Sequence, residues 1–167
     1  KDIVELLLKD KITNINQALH DGATPLFIAA QIGHEAVVKL LLTNEKIDPN
    51  QATTDNRATP LYIAAYKGHL AVVGLLLEHQ DIDPNQAKTD GATPLFIAAF
   101  KGHLAVVGLL LAHKDIDPNL ATIDNGATPL MIGASVGHEA VVKLLLEHKD
   151  IDPNLATIDN GATPLHY

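Results

Sequence analysis

Three segments of the chain carry oxygen-bearing side chains at alternate positions, as the start of a calcium-binding loop does. These side chains are Asp81, Asp83 and Asn85, then Asp115, Asp117 and Asn119, then Asp150, Asp152 and Asn154. The glycine of an EF-hand's sharp turn and its final bidentate glutamate are both missing. The residues in those places are Gln86, Leu120 and Leu155, and Ala92, Gly126 and Gly161. We therefore expect no metal or other cofactor, and predict that the Asp and Asn side chains bond to local backbone in turns.

Residues for nucleophilic catalysis are scarce. The chain has no cysteine, and its one serine is Ser135. No G-x-S-x-G, phosphate-binding or dinucleotide-binding glycine pattern is present. We expect no enzymatic activity in this segment.

Internal repetition organises the chain. The tripeptide Thr-Pro-Leu begins at 24, 59, 93, 128 and 163, in steps of 35, 34, 35 and 35 residues. A fixed period of this length indicates a repeat array. We predict one domain over 1–167, with a partial unit at 1–23, complete units at 24–58, 59–92, 93–127 and 128–162, and the start of a further unit at 163–167.

Each unit contains the signals of two short helices. Thr93 caps the first helix, Pro94 suits its first position, and Gly102 ends it with a left-handed or otherwise unhindered backbone. The second helix begins at His103 and is predicted to reach His113, with apolar residues around most of its circumference, so it needs neighbours on several sides. The remainder of the unit runs extended and then turns at Asp-Asn-Gly.

The segment 24–42, TPLFIAAQIGHEAVVKLLL, resembles the ankyrin repeat, whose pattern is T-P-L-H-x-A-A-x-x-G-H-x-x-V-V-x-L-L-L. The resemblance recurs in every unit and covers essentially the whole chain. It implies an all-α solenoid of stacked antiparallel helix pairs with projecting β-hairpin-like fingers. It also implies protein binding through the fingertips and the concave face of the first helices, with the Gly-His histidines tying adjacent loops together.

Two departures from the family pattern recur. Its histidine after Thr-Pro-Leu is kept only at His166, and the residues in its place are Phe27, Tyr62, Phe96 and Met131. We expect these side chains to pack against the next unit. The glycine that normally ends the second helix is also absent, which predicts a longer or differently capped exit, with Asn44 tolerating a left-handed conformation. The tip 123–126 has one residue more than the tip 89–91, which predicts an enlarged finger.

The nine histidines invite a metal or acid–base interpretation. Seven of them hold two fixed places in the repeat: His34, His69, His103 and His138 begin the second helix, and His79, His113 and His148 follow its end. Equivalent residues of stacked helices lie roughly 8–10 Å apart, whereas zinc ligands lie about 2 Å from one ion. The histidines are therefore predicted to be structural.

Positions that differ between units are the candidate partner-binding residues. At the ends of the first helices they are Gln31, Ile32, Tyr66, Lys67, Phe100, Lys101, Ser135 and Val136. At the fingertips they are Asp55, Asn56, Arg57, Thr89, Asp90, Ile123, Asp124, Ile158 and Asp159. The aromatic pair with its lysines is typical of an interface anchor, and the isoleucines stand on turns that have little structural need of them. Drift at solvent-exposed positions is the alternative.

The net charge and the short apolar runs of the chain limit the class of partner that it is expected to bind. A net charge of −8 disfavours nucleic acid and anionic membranes, and the longest apolar run, LAVVGLLL, is too short to span a bilayer. We expect a monomeric array that binds another protein, as a segment of a larger intracellular scaffold or effector. The expected compartment is the cytoplasm, and a secreted effector acting in a host cytosol is also compatible. A structural spacer, or a consensus-like designed repeat protein with no dedicated partner, is the competing hypothesis.

Overall fold

The computed structural model describes residues 14–158 and 161–166. Residues 1–13 of the predicted partial unit 1–23, and the candidate Asp159, lie outside the described residues. Over the described part of the chain there are eight α-helices and no β-strand. The helices are α1 Pro25–Ile32, α2 Glu35–Leu42, α3 Pro60–Lys67, α4 Leu70–Leu77, α5 Pro94–Lys101, α6 Leu104–Leu111, α7 Pro129–Ser135 and α8 Glu139–Leu146, followed by a 3₁₀ turn at Pro164–His166.

The helices form two rows. The first helices α1, α3, α5 and α7 pack side by side, the second helices α2, α4, α6 and α8 form the other row, and each first helix packs on its own second helix. Every helix has seven or eight residues, which is too short for stability in isolation. Packing between units must therefore supply the stability. The expected all-α array of helix pairs is confirmed.

Thr-Pro starts every first helix as predicted. A threonine hydroxyl accepts the N–H of the residue three positions on, at 3.0 to 3.3 Å. The pairs are Thr24 with Phe27, Thr59 with Tyr62, Thr93 with Phe96 and Thr128 with Met131. The predicted left-handed glycine ends three of these helices, at Gly33, Gly68 and Gly102. Helix α7 differs, because it ends at Ser135 with Val136 as its cap.

Of the two alternatives predicted for the end of the second helix, a longer helix or a different cap, the structure shows the different cap. Helix α6 ends at Leu111 and not at His113, so the helix is not longer. Its chain continues in right-handed turns: the His113 N–H donates to the Leu110 carbonyl at 3.1 Å, and Ile116 N–H to His113 at 3.2 Å. The His113 Nδ1 then accepts the Asp115 N–H at 3.3 Å. Right-handed continuation therefore replaces the left-handed residue expected at Asn44, whose φ is not positive.

The core is a continuous layer of small and aliphatic side chains between the two rows. Phe27, Tyr62 and Met131 are buried, and Phe96 is half-buried. Their packing against the next unit stays a prediction. The Nδ1 of His166 lies 3.0 Å from the Thr163 hydroxyl.

The second helices are less enclosed than their apolar sequence predicts. Leu70 and Leu104 are each 43% exposed, and Leu109 is 37% exposed. The first two occupy the places of Glu35 and Glu139 in the outer units. The outward face of α4 and α6 is therefore apolar, whereas α2 and α8 carry charges there.

An asparagine in each connector joins its unit to the next. Asn85 donates from Nδ2 to the Asp115 carbonyl at 2.7 Å and accepts the Asp117 N–H on Oδ1 at 2.9 Å. Asn16, Asn50 and Asn119 repeat this pair of bonds. Within the connector, Asp83 accepts the Asn85 N–H at 2.9 Å, which confirms the predicted local turn. The motif that resembles a calcium loop is thus a joint between units.

The Gly-His histidines make a second joint, which confirms the tie between loops that the family resemblance implies. The Nε2 of His69, His103 and His138 donates to the carbonyl of Gln31, Tyr66 and Phe100 in the preceding unit, at 3.1 to 3.2 Å. Each ring covers the preceding unit's glycine, so that a Cβ placed on Gly102 would lie 2.7 Å from Cε1 of His138. A Cβ on Gly137 would meet nothing within 4 Å.

The glycines give a test of this packing. Gly133 lies inside α7 where the other units have alanine, and a Cβ there would meet Val141 at an ordinary 3.5 Å. Gly133→Ala is expected to raise the free energy of unfolding by about 1 kcal/mol, because alanine costs less backbone entropy in a helix. Urea unfolding followed by circular dichroism measures it.

The matched controls are Gly102→Ala and Gly137→Ala. Both place a Cβ on a left-handed residue, at φ 70° and 78°, which costs about 1 kcal/mol or more. Only Gly102→Ala also displaces a histidine ring, so it should destabilise more. Equal losses at the two sites would contradict the histidine joint.

Candidate functional site

The fingers are turns closed by backbone hydrogen bonds and tied to one another. Thr53 N–H donates to Ala58 and Lys88 N–H to Ala92, each at 3.0 Å. Each tip then donates one N–H to the preceding finger, as Thr89 does to Asn56 at 3.0 Å. The fingertips therefore form a row along the array.

The tips come in two sizes, as predicted. In the larger tips a threonine hydroxyl accepts the alanine N–H that ends the turn, as Thr122 does from Ala127 at 3.1 Å. In the smaller ones an aspartate takes that place, as Asp90 does for Ala92 at 3.0 Å. Arg57 holds a left-handed conformation, φ 61°, where the other large tips have glycine.

The candidate fingertip residues divide into exposed and structural ones. Ile123 and Ile158 are 66% and 73% exposed, so they are not buried against the array. Asp55, Arg57, Thr89 and Asp124 are exposed too, and Asp90 is half-buried. Asn56 is half-buried and has a structural task, since its Oδ1 accepts from the Thr53 hydroxyl and the Ala58 N–H at 3.0 Å each.

The candidates at the helix ends lie along one edge of the first-helix row. All are exposed except Tyr66, which is half-buried; they are Gln31, Ile32, Lys67, Phe100, Lys101, Ser135 and Val136. Ser135 donates its hydroxyl to the Ile132 carbonyl within its own helix at 3.1 Å.

Four of these candidates meet in one cluster, Tyr66, Lys67, Phe100 and Lys101, hereafter the aromatic cluster. The Lys101 Nζ lies 4.7 Å from the ring centroid of Tyr66 and 5.1 Å from that of Phe100. The Lys67 Nζ lies 5.4 Å from the Tyr66 centroid. Cation–π contacts at exposed sites contribute about 0.5–1 kcal/mol each. The lysines therefore contact aromatic rings that stay at least partly exposed at the surface.

A cavity of about 350 Å³ opens beside this cluster, between α1, α3 and the fingers. We call it the finger groove. The side chains that line it and carry the argument below are Asp21, Gln31, Asp55, Tyr62, Tyr66 and Lys88. Tyr66 therefore belongs to both the aromatic cluster and the finger groove.

Tyr62 and Lys88 are members of this site that the sequence interpretation missed. Lys88 Nζ lies 5.3 Å above the Tyr62 ring and 3.1 Å from Asp90 Oδ2. The available signal was the comparison of units, because Lys88 stands where Thr53 and Thr122 stand in neighbouring fingers.

Burial and neighbouring charges set the ionisation of the groove. Burial, then the Asp90 charge and the nearby Tyr66, raise the pKa of Tyr62 to about 12. Burial alone would raise the pKa of Asp90, but the Ala92 N–H and the Lys88 ammonium outweigh it, and that pKa is lowered. The Thr53 hydroxyl and the Asn56 N–H lower the pKa of Asp55. At neutral pH the groove therefore presents the neutral phenol of Tyr62 beside the ionised carboxylate of Asp55.

Within residues 14–158 and 161–166, no three His, Asp or Glu side chains gather where one metal ion could bind. No helix in that part of the chain combines the length and apolar character needed to cross a bilayer.

Comparison with known proteins gives two matches. The sequence model described as ankyrin repeats (3 copies) matches residues 1–88, 45–122 and 117–167, and so covers the whole chain. The Neurogenic locus Notch protein of Drosophila melanogaster is 42% identical over 41 residues, which is 25% of this chain and 2% of that protein. The second match covers little more than one repeat. The activity of the whole Notch protein is therefore not carried over to this chain.

Tyr62 couples stability to pH. Its pKa is about 12 in the folded chain against an ordinary value of 10.0, so the unfolded chain loses the proton first as pH rises. The stabilisation is fully present below about pH 10 and is lost as pH approaches 12. Tyr62→Phe should therefore lessen the fall in unfolding free energy over this range. Urea unfolding at both ends of the range measures it, and an undiminished fall would show that other groups are responsible.

Proposed function

This chain belongs to the ankyrin repeat family, and we propose that it binds a partner protein through the aromatic cluster, the finger groove and the fingertips. Ankyrin repeats are a protein–protein interaction module. The observation that carries the proposal is the convergence of Lys67 and Lys101 on the ring of Tyr66, beside the exposed Phe100. Aromatic side chains of this kind are frequent hot spots at interfaces.

The scaffold favours this use of the surface. The backbone groups at the helix ends are held by inter-unit bonds such as His103 to Tyr66, at 3.1 Å. Variable side chains stand on that fixed frame, so little order has to be gained on binding. A repeat array also offers an extended face in place of one deep pocket, which suits a protein segment.

The wider role is proposed as well. We place the chain as a segment of a larger intracellular scaffold or effector, working in the cytoplasm as a monomeric array, with units bounded as 24–58, 59–92, 93–127 and 128–162. Ankyrin repeat proteins are generally non-enzymatic, and no catalytic task is proposed. A spacer without a partner is the competing proposal.

A pull-down with quantitative mass spectrometry distinguishes the two. The double variant Tyr66→Ala/Phe100→Ala is expected to lose the partner that the parent chain captures. Removing a hot-spot aromatic costs about 2 kcal/mol or more, which is roughly a thirtyfold loss of affinity.

The matched control is Leu70→Ala/Leu104→Ala. It also removes two exposed apolar side chains, but from the second-helix row of the same two units. Capture should survive it. If both double variants capture the same proteins as the parent chain, the aromatic cluster is not the binding site. If the parent chain captures no protein above a bait-free control, the spacer hypothesis is preferred.

A further inference from the structure

The charges around Tyr66 are unevenly paired. Lys88, Lys114, Lys143 and Lys149 each have a carboxylate within 4 Å. Among the described residues, Lys67 and Lys101 form no such ion pair, although both ammonium groups lie over the same Tyr66 ring. Two cations that form no ion pair with a described residue therefore lie within 5.4 Å of one ring centroid, on a chain whose net charge is −8.

The finger groove, in contrast, carries unpaired negative charges within the described residues. Asp21 and Asp55 line it, and neither forms an ion pair in the part of the chain that the structure describes. Asp21 accepts the Ala23 N–H at 3.0 Å, and Asp55 accepts the Asn56 N–H at 2.7 Å. Lys88 also lines the groove, but its ion pair is with Asp90, at 3.1 Å, and its charge is the smallest of the effects that lower the pKa of Asp55.

Tyr66 lies between the two lysines and the finger groove and contacts both. Its ring carries the two free lysines, and the same side chain lines the cavity that holds the two aspartates. A cavity of about 350 Å³ has room for a long side chain. A guanidinium or ammonium entering it would meet carboxylates and aromatic walls, which are the groups that bind cations.

We infer that the groove selects a protein segment carrying both charges in a fixed order. A basic side chain enters the cavity beside Asp21 and Asp55, and a neighbouring acidic side chain lies over Lys67 and Lys101. The inference rests on the proposed function, since it names the chemistry of the partner at that same face.

The arrangement also gives direction. A segment laid the other way would set its acid against Asp21 and Asp55 and its base against the lysines, and like charges brought together across an interface are costly. A purely acidic segment would be repelled by the rest of this acidic chain. The charge order thus fixes the partner's polarity along the groove.

The test is selection of random linear peptides displayed on phage, with the 167-residue chain as bait. We expect enriched peptides to share one basic and one acidic residue at a constant separation. Their affinity, measured by fluorescence anisotropy, should fall about three- to tenfold in Lys67→Gln/Lys101→Gln and in Asp21→Asn/Asp55→Asn, as the loss of partly exposed ion pairs predicts. With rising salt concentration, the affinity of the parent chain for these peptides should fall more steeply than that of either variant.

The matched control is Lys114→Gln/Lys149→Gln. It removes the same two charges from exposed sites on the connectors after the second helices, and should leave the affinity unchanged. A second selection on Lys67→Glu/Lys101→Glu should return peptides with a basic residue in place of the acidic one. Circular dichroism of each variant confirms that its helices are retained.

The outcomes separate this inference from the proposed function. Peptides that need Tyr66 and Phe100 but show no charge pattern, or that weaken equally in the control, overturn the inference and leave the function standing. A selection that yields no peptide sensitive to Tyr66→Ala/Phe100→Ala overturns both.

Discussion

The hydrogen bonds from each connector asparagine to the backbone of the next unit fix the spacing of the array. A helix of seven or eight residues does not persist alone in water, so each pair depends on its neighbours. Asn85 makes two bonds of 2.7 and 2.9 Å to the following connector, and His103 makes one to the preceding helix pair. Together with the hydrogen bonds between fingertips, these contacts hold each helix pair against the next at three places: the connector, the start of the second helix and the finger. Burial of leucine and valine between the rows then supplies most of the stabilisation.

The residues that join the units leave the side chains at the ends of the first helices free to differ from unit to unit. The joints use backbone groups, Asn, His and Gly, which recur in the same places in each complete unit. The side chains at the ends of the first helices take no part in the joints, so Gln31, Tyr66, Phe100 and Ser135 can differ without loss of register. Tyr66 shows the separation most clearly: its carbonyl accepts from His103, while its ring lies among the lysines and the groove. The backbone of this residue serves the structure, and its ring serves the proposed recognition.

Local signals explain how much of this was predictable. Thr before Pro caps a helix, and Gly admits a left-handed turn, whatever the neighbouring units do, so the first helices were predicted almost to the residue. The local turn of Asp83 with Asn85 was also predicted. The hydrogen bond from Asn85 to the next unit was not predicted, because the Asp115 carbonyl comes near Asn85 only when the units stack. Lys88 was missed for the same reason, since Tyr62 lies far from it in sequence. The second helices have neighbours on several sides as predicted, since α6 packs on α4, α5 and α8 and buries Val106, Val107, Leu110 and Leu111. Leu70 and Leu104 stay exposed nonetheless, because the units form a single row and the outward face of the second helices lies at the surface.

The most direct test of the central claim is native-state amide hydrogen exchange at Asp83, Asp117 and Asp152. Each of these N–H groups donates to an asparagine Oδ1 of the preceding unit, at 2.8 to 2.9 Å, although the residues themselves are exposed. If the asparagine joints hold the array, these amides exchange only when neighbouring units separate, and their protection should match that of the amides inside α3 to α6. Exchange as fast as that of an unstructured loop at all three positions would contradict the claim, and the units beneath the proposed binding face would have to be held by apolar packing alone.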